Sequence, residues 1–309
     1  GPILQDEVLL CEDHVSFIGE PIVVIAAENY KALKLAKKAV KLDIEELKPI
    51  LTIDEAKAKN AYIDRTYSIK RGDVATAFKN AKHIIEGTLI TGGQDHFSLE
   101  SQVALVYPGE HNQLVIHSST QAPSEVQQVA ARVLGLQQNQ VVVITKRMGG
   151  GFGGKETQAT HPAVMAALVA LKTKRPARIV YSIDDDMKFT GKRHPFQNDY
   201  KVAFDSEGRI QALEARLYTD GGASNDLSTA VLGRALTHSD NAYFVPNMEV
   251  YGHICKTNFP PNTAFRGFGG PQGCIMIENI MEEIAAFLKI DAFDVRFKNC
   301  YGVDDRNVT

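Results

Sequence analysis

The sequence has only four cysteines, and they are widely separated. Cys11, Cys255, Cys274 and Cys300 show no C-x-x-C spacing. Structural zinc sites and iron–sulfur clusters need closely grouped thiolates, so we expect neither on this chain. Scattered cysteines in a chain of 309 residues instead indicate reduced thiols and a cytoplasmic location.

Long hydrophobic runs and a surplus of either charge are also missing. No stretch approaches the ~20 uncharged apolar residues of a membrane helix, and the chain does not open with the basic and then hydrophobic regions of a signal peptide. Lys and Arg number 34 against 37 Asp and Glu, a net charge of −3. Because nucleic-acid-binding proteins usually carry a basic surplus, we expect neither a membrane span nor a nucleic-acid partner.

Hydrophobic periodicity predicts an α+β fold in two domains. Helices are predicted at about 29–40, 52–56, 123–134, 161–173 and 272–288. Strands are predicted at 15–27, 42–44, 83–91, 102–107, 113–119, 141–146, 177–183, 199–204, 209–219 and 249–256. Residues 1–62 therefore form a small βαβ-like unit in this prediction, and residues 63–309 form a larger second domain.

Two glycine-rich segments stand out, each between a predicted strand and a predicted helix. They are KRMGGGFGGKE at 146–156 and NTAFRGFGGPQG at 262–273. Glycine permits a positive φ and lets a ligand approach the backbone amides, and a helix N-terminus adds unpaired N–H donors and positive potential. Tight turns are the alternative, but Phe152, Arg266 and Phe268 among the glycines favour binding of an electron-rich, oxygen-bearing group.

The first segment partly matches two nucleotide-binding motifs. It has the G-x4-G-K spacing of a P-loop, but Glu156 stands where Ser or Thr must coordinate Mg²⁺, which excludes that motif. A G-x-G-x-x-G pattern beginning at Gly149 also fits a dinucleotide-binding turn. The acidic residue after the next strand, Asp184, lies beyond the expected distance of ~20 residues, so this match is weak.

Several segments occur together in the order and spacing of one enzyme family. They are GGQDHFSLE at 92–100, STQ at 119–121, RMGGGFGGKET at 147–157, GKRHPF at 191–196, the stretch 214–222, and KTN with NTAFRGFGGPQ within 256–272. The sequence therefore resembles the xanthine dehydrogenase and xanthine oxidase family of molybdenum hydroxylases. The resemblance implies that residues 1–62 are the C-terminal part of an α/β-hammerhead domain. Residues 63–309 would be the first half of a molybdopterin-binding domain of the aldehyde/xanthine oxidase type.

The resemblance implies a molybdenum–molybdopterin cofactor, whose pterin dithiolene holds the metal without a protein ligand. Gln121, Phe152 and Arg266 are then expected beside the metal, with Gly151 and Gly153 against the cofactor. Gln121 suits a metal-bound oxygen because an amide both donates and accepts hydrogen bonds. The 2Fe-2S centres and FAD that carry electrons away are expected on other segments or subunits.

The resemblance also implies how the substrate is held. In the purine-oxidising members, a glutamate and an arginine at the positions of Glu156 and Arg234 grip opposite edges of the heterocycle, whereas aldehyde oxidases have apolar residues there. A guanidinium at the carbonyl edge stabilises negative charge as it develops. Glu156 and Arg234 are therefore the expected catalytic and substrate-binding residues, with Phe268 against the flat substrate. A helix N-terminal carboxylate and a surface arginine are the alternatives.

Three histidines and one glutamate also need an interpretation. His96 and Glu100 have the spacing of metal ligands one helical turn apart, but their flanking residues favour extended structure. His194 and His238 are expected to be structural.

Together these residues predict part of an enzyme that oxidises xanthine or hypoxanthine to urate with water-derived oxygen. The resemblance assigns the general-base glutamate to a later segment, so we expect this chain alone to be inactive. Its expected partners are the C-terminal half of the same subunit, Fe–S and flavin domains, and a second copy of the assembled enzyme. Two alternatives stay open: a related hydroxylase for another N-heterocycle or an aldehyde, and a non-catalytic fragment retained for assembly.

Overall fold

The computed structural model describes residues 1–302, so the last seven residues of the predicted domain 63–309 lie outside the described part. The helices are α1 Tyr30–Ala39, α2 Ile53–Lys59, α3 Val74–Asn80, α4 Pro123–Leu134, α5 Thr160–Thr173, α6 Ile183–Phe189, α7 Ser228–Thr237, α8 Gly270–Leu288 and α9 Ala292–Asn299. The strands are β1 Tyr67–Arg71, β2 His83–Thr91, β3 Val103–Pro108, β4 Leu114–Ser118, β5 Val141–Ile144, β6 Ala177–Val180, β7 Phe196–Phe204, β8 Ile210–Gly222 and β9 Met248–Lys256. Short 3-10 helices cover Glu110–Asn112 and Gln138–Gln140. Within residues 1–302, no helix is long and apolar enough to cross a membrane.

The larger sheet has the strand order β1-β9-β8-β7-β2. Only β8 and β9 run parallel; the other neighbours are antiparallel. Helices α7 and α8 pack on this sheet, and fully buried side chains such as Leu217, Val250, Ile277 and Ile280 fill the space between them. Full burial of each such side chain contributes roughly 1.5–3 kcal/mol, so this layer is the main core.

The smaller sheet has the order β5-β4-β3-β6. Strands β4 and β5 are parallel, joined by α4, and both neighbours of β3 are antiparallel to it. Helices α4 and α5 cover this sheet, where the buried Ala130, Ala163 and Ala167 allow close helix packing. The first glycine-rich loop lies between β5 and α5, and the second lies between β9 and α8.

Most of the predicted elements from residue 83 onward are confirmed. The helix at 123–134 has the predicted bounds, with Pro123 in its first turn and Gly135 closing it at a φ of +67°. The strand at 83–91 is also confirmed. The prediction missed β1, α3, α6, α7 and α9, all of them 10 residues long or shorter.

The strands predicted at 15–27 and 42–44 are wrong. Both segments are irregular, and apolar side chains in them stay exposed, with Ile18 at 85% and Val23 at 53%. Neither segment pairs with a strand in the part of the chain that the structure describes. A strand without a partner gains no ladder hydrogen bonds, so apolar alternation alone did not produce a strand here.

Helix α2 packs against the larger sheet rather than against the N-terminal segment. Its Ala56 is fully buried beside Tyr218 of β8 and Cys255 of β9. Helix α1, in contrast, has no buried residue. The division at residue 62 stays a prediction, but the packing of α2 groups residues from about 53 onward with the second domain.

Candidate functional site

The two glycine-rich loops meet and form the walls of one pocket. The Arg266 backbone N–H donates to the Phe152 carbonyl at 2.8 Å. A Cβ on Gly153, whose φ is +102°, would lie 2.6 Å from the Ala264 carbonyl oxygen, so only glycine lets the backbones come this close. The pocket has a volume of about 380 Å³ and is lined by Gln121, Phe152, Gly153, Glu156, Ala264, Phe265, Arg266, Gly267 and Phe268.

Six of the residues predicted from the sequence line this pocket together: Gln121, Phe152, Gly153, Glu156, Arg266 and Phe268. Gly151 lies buried directly behind the wall, where a Cβ would come within 2.5 Å of Gln121 Oε1. Arg234 does not line the pocket.

The first loop orients the side chain of Gln121. Its Oε1 accepts hydrogen bonds from the backbone N–H groups of Gly153 at 2.9 Å and Lys155 at 3.3 Å. Its backbone N–H donates to the Lys155 carbonyl at 2.7 Å. The Nε2 amide of Gln121 has no partner within residues 1–302 and is available to donate to an oxygen of a bound group.

Lys155 is buried behind the first loop and ties it to the smaller sheet. It is 1% exposed, and its Nζ donates to the Glu100 carbonyl at 2.7 Å and to Ser119 Oγ at 3.1 Å. The Glu100 carboxylate accepts in turn from the Gly149 N–H at 2.5 Å. Burial lowers the pKa of the Lys155 ammonium, although the charge of Glu100 opposes that shift. Sequence reasoning missed this positioning role for both residues.

A stack of side chains supports the second loop from the other side. His96 Nε2 lies 2.6 Å from the Ala264 carbonyl oxygen, and because that carbonyl only accepts, Nε2 carries the proton. The His96 ring is 4.7 Å from the Phe265 ring, and the Arg193 guanidinium lies 3.9 Å from the centre of the same ring. Arg193 also donates to the Arg266 carbonyl at 2.9 Å. Burial lowers the pKa of His96, which keeps it neutral.

His96 and Glu100 thus contact the loops rather than a shared metal position. Over the described residues, no group of three or more His, Cys, Asp or Glu side chains is placed to hold a metal ion. The segments at 92–100 and 191–196, which contain His96, Glu100 and Arg193, were the sequence signal for these supports. Their spacing alone did not reveal which backbone atoms they contact.

Glu156 supplies an unpaired carboxyl group to the pocket. It lies four residues before α5, is half-buried, and burial raises its pKa. Its carboxyl oxygens have no hydrogen-bond partner in the part of the chain that the structure describes. A confined carboxyl group without a partner loses stability unless a ligand donor or acceptor pairs with it, so Glu156 is placed to contact a polar ligand.

Two aromatic residues in the pocket wall have unusual backbone conformations. Phe152 has a φ of +53° and Phe268 a φ of +49°, a left-handed conformation that costs a non-glycine residue roughly 1–3 kcal/mol. Phe152 is also 48% exposed. Such strain concentrates at ligand-binding sites, and both residues line this pocket.

Arg234 lies on α7, which flanks the pocket. Its side chain is exposed, and its guanidinium makes no hydrogen bond or ion pair within residues 1–302. Helix α7 packs closely on the start of α8, where a Cβ on Gly269 would lie 2.1 Å from the Val231 carbonyl oxygen. Because Phe268 immediately precedes Gly269, Arg234 is on the helix next to the pocket wall but not in the wall.

Comparison with known proteins gives consistent matches. A family model described as "Molybdopterin cofactor-binding domain" matches residues 53–300. The xanthine dehydrogenase of Dictyostelium discoideum is 44% identical over 301 residues, which are 97% of this chain and 22% of that protein. The chain therefore spans less than a quarter of the length of this relative.

Two solved structures superimpose on nearly the whole chain. Quinoline 2-oxidoreductase from Pseudomonas putida 86 matches with a TM-score of 0.87 and 25% identity, covering 97% of this chain and 40% of that one. Aldehyde oxidoreductase from Desulfovibrio gigas matches with a TM-score of 0.87 and 28% identity, covering 97% and 34%.

The pocket fits a large, electron-rich cofactor of the molybdopterin type. The backbone N–H groups of Phe152 and Gly267 and the Nε2 amide of Gln121 have no hydrogen-bond partner over residues 1–302. The exposed Arg266 adds a positive charge at the same wall. Unpaired donors and a cation at a glycine-rich backbone are the groups that an anionic, oxygen-rich ligand requires.

Proposed function

Because the chain belongs to the molybdopterin cofactor-binding domain family, we propose that it forms the cofactor- and substrate-facing part of a molybdenum hydroxylase that oxidises xanthine or hypoxanthine to urate. The observation that carries this proposal is the unpaired Glu156 carboxyl group in the same pocket as Gln121 and Arg266. The similarity to xanthine dehydrogenase supports it. When bound, the molybdenum cofactor would supply the two-electron oxidation of the substrate carbon.

The glycine-rich loops would hold this cofactor through hydrogen bonds and charge. Gln121 would donate from Nε2, since Oε1 is already engaged by Gly153 and Lys155. The backbone N–H groups of Phe152 and Gly267 and the guanidinium of Arg266 would contact its oxygen atoms. The supports behind the loops keep these donors in place before binding, so little ordering is needed.

Glu156, Phe268 and Arg234 would select the substrate. Glu156 would pair with an N–H or ring nitrogen at one edge of the purine, and Phe268 would pack against its face. Arg234 would approach the opposite, carbonyl edge and stabilise negative charge there, which requires its exposed side chain to reach from α7 into the pocket.

The activity of the whole protein depends on segments outside this chain. We propose that the remainder of the molybdenum subunit contributes the general-base glutamate. Domains or subunits with 2Fe-2S centres and FAD would remove the electrons. A dimeric assembly and a cytoplasmic location belong to the same proposal.

A second candidate is a related hydroxylase acting on a different N-heterocycle or an aldehyde. The position of Arg234 outside the pocket wall favours it, since a substrate without a ring carbonyl group at the edge opposite Glu156 needs no guanidinium there. Two structures with the same fold are a quinoline oxidoreductase and an aldehyde oxidoreductase.

Turnover by the assembled enzyme separates the two candidates. Urate formation from xanthine is measured with an artificial electron acceptor, beside quinoline and an aliphatic aldehyde, for the unaltered enzyme and for Glu156→Gln. We expect xanthine to be the best substrate. Glu156→Gln should lower kcat/KM by about 10- to 100-fold, the loss expected for a hydrogen bond to a charged group, with molybdenum content unchanged.

Glu110→Gln, which replaces an exposed glutamate, is the control for this experiment and should retain full activity. A molybdenum-replete enzyme that oxidises quinoline or the aldehyde but not xanthine would replace the first candidate with the second.

A further inference from the structure

Asp226 is a buried carboxyl group that the proposed reaction does not use. Its side chain is 0% exposed, and it lies two residues before α7, the helix that carries Arg234. Its φ of +40° is a left-handed conformation that Asp and Asn tolerate better than most residues.

The Asp226 carboxyl group lies beside the residues that follow the first glycine-rich loop. Its Oδ2 accepts from Gln158 Nε2 at 3.2 Å. The hydroxyl groups of Thr157 and Thr263 lie beside the carboxyl group and favour its ionised form, and these two hydroxyl oxygens are 3.1 Å apart. Thr157 follows Glu156 directly, and Thr263 lies three residues before Arg266, so the Asp226 side chain lies beside one residue next to each pocket wall.

The surroundings of Asp226 nevertheless favour the neutral carboxyl group. Its Oδ1 is buried and has no hydrogen-bond partner within the described residues. Burial raises the pKa of Asp226, and the negative charge of Glu7 in the N-terminal segment raises it further. Burial opposes ionisation of Glu7 as well, but the hydrogen bond and charge of His161 on α5 lower the pKa of Glu7. The pKa shifts of the two carboxyl groups are therefore opposite: that of Glu7 is lowered and that of Asp226 is raised.

We propose that Asp226 is a positioning residue, which connects both glycine-rich loops to the start of α7 and so keeps Glu156, Arg266 and Arg234 in one arrangement. A buried polar side chain in a left-handed backbone is retained at a cost in stability. Its position beside residues of both glycine-rich loops, directly before α7, accounts for that cost. The inference rests on the proposed function, because it assigns the pocket to cofactor and substrate.

Two substitutions at this position test the proposal in the assembled enzyme. Asp226→Asn keeps the shape without the negative charge, and Asp226→Gly removes the side chain. Glycine and asparagine both accept a positive φ, so neither variant is confounded by backbone strain. The exposed Asp184→Asn, in the first turn of α6, is the control. Molybdenum content per chain, melting temperature, and kcat and KM for the best substrate are measured for each.

We expect Asp226→Gly to lose molybdenum or to lower kcat/KM by about 100-fold, the effect of a small displacement of reacting groups. Asp226→Asn should retain both properties, and the control should be unchanged. Unaltered kinetics and molybdenum content in Asp226→Gly would overturn the proposal. The proposal would also be overturned if both variants lost molybdenum or activity equally and both had a lowered melting temperature. Asp226 would then be an ordinary core residue.

The two proposals fail in different ways. If the unaltered enzyme holds molybdenum but does not oxidise xanthine, the proposed substrate is wrong. The comparison of molybdenum content, and of kinetics on the substrate that is turned over, still decides the role of Asp226.

Discussion

Arg234 is the predicted site residue whose position differs most from the expectation drawn from the family resemblance. It is exposed on α7 and unpaired within the described residues, while six other predicted residues share one pocket wall. A family resemblance assigns a residue to a role through its position in the sequence. It does not determine the side-chain conformation, which for a long arginine depends on the ligand and on neighbouring segments.

Replacement of Arg234 tests this role at the residue scale. In the assembled enzyme, we expect Arg234→Met to lower kcat for xanthine by about 10²-fold or more, since loss of a group that stabilises developing charge has this size of effect. Oxidation of an aldehyde should be nearly unaffected. Arg234→Lys should recover only part of the loss, because an ammonium group lacks the planar fork of a guanidinium.

Arg132→Met, which removes an exposed arginine on α4, is the matched control for the loss of a positive charge. Equal kinetics for xanthine in Arg234→Met and Arg132→Met would remove Arg234 from the site.

At the scale of elements, the sequence was most informative where local chemistry alone sets the structure. Helix α4 could be predicted to the residue, because proline starts it and Gly135 ends it in the conformation that glycine prefers. The strands predicted at 15–27 failed for the opposite reason, since a strand depends on a partner that local alternation does not reveal. Helix α7 was missed because it is short and contains Gly233.

The glycine-rich loops could be located from the sequence, but not their mutual contact. The strand–loop–helix context and the aromatic residues among the glycines predicted two ligand-binding loops. A Cβ on Gly153 of the first loop would collide with Ala264 of the second. This close approach depends on the packing of the two sheets. The supports from Lys155, His96 and Arg193 likewise join segments far apart in the chain.

Gly153→Ala tests whether close contact of the loops is needed for cofactor binding. The added Cβ would lie 2.6 Å from the Ala264 carbonyl oxygen, so the loops must separate. We expect the assembled enzyme to lose most of its molybdenum, measured as metal per chain.

Gly135→Ala is the matched control for this substitution. It also has a positive φ of +67°, but no atom lies within 4 Å of the added Cβ, so it should cost only about 1–2 kcal/mol of backbone strain. Full molybdenum content in Gly153→Ala would show that close contact of the two loops is not needed to bind the cofactor.

At the scale of the whole molecule, the packing of residues 30–49 differs sharply from that of the residues from position 53 onward. Helix α1 has no buried residue, and the segment 40–49 that follows it is exposed throughout. Helix α2 instead places Ala56 in a small cluster with Tyr218 and Cys255 of the larger sheet. Local opening is easiest where few apolar contacts must be broken, so stability should rise abruptly between α1 and α2.

Limited trypsin digestion of this chain measures that difference directly. We expect the first cleavages at the lysines of α1 and just after it, at Lys31, Lys34, Lys37, Lys38 and Lys41. The resistant fragment should keep Ile53–Lys59, because Ala56 anchors this helix to β8 and β9, and mass spectrometry of the fragment gives its first residue. A resistant fragment that starts after residue 62 would instead support the division predicted from the sequence, and would show that the α2 contact is too weak to join the helix to the second domain.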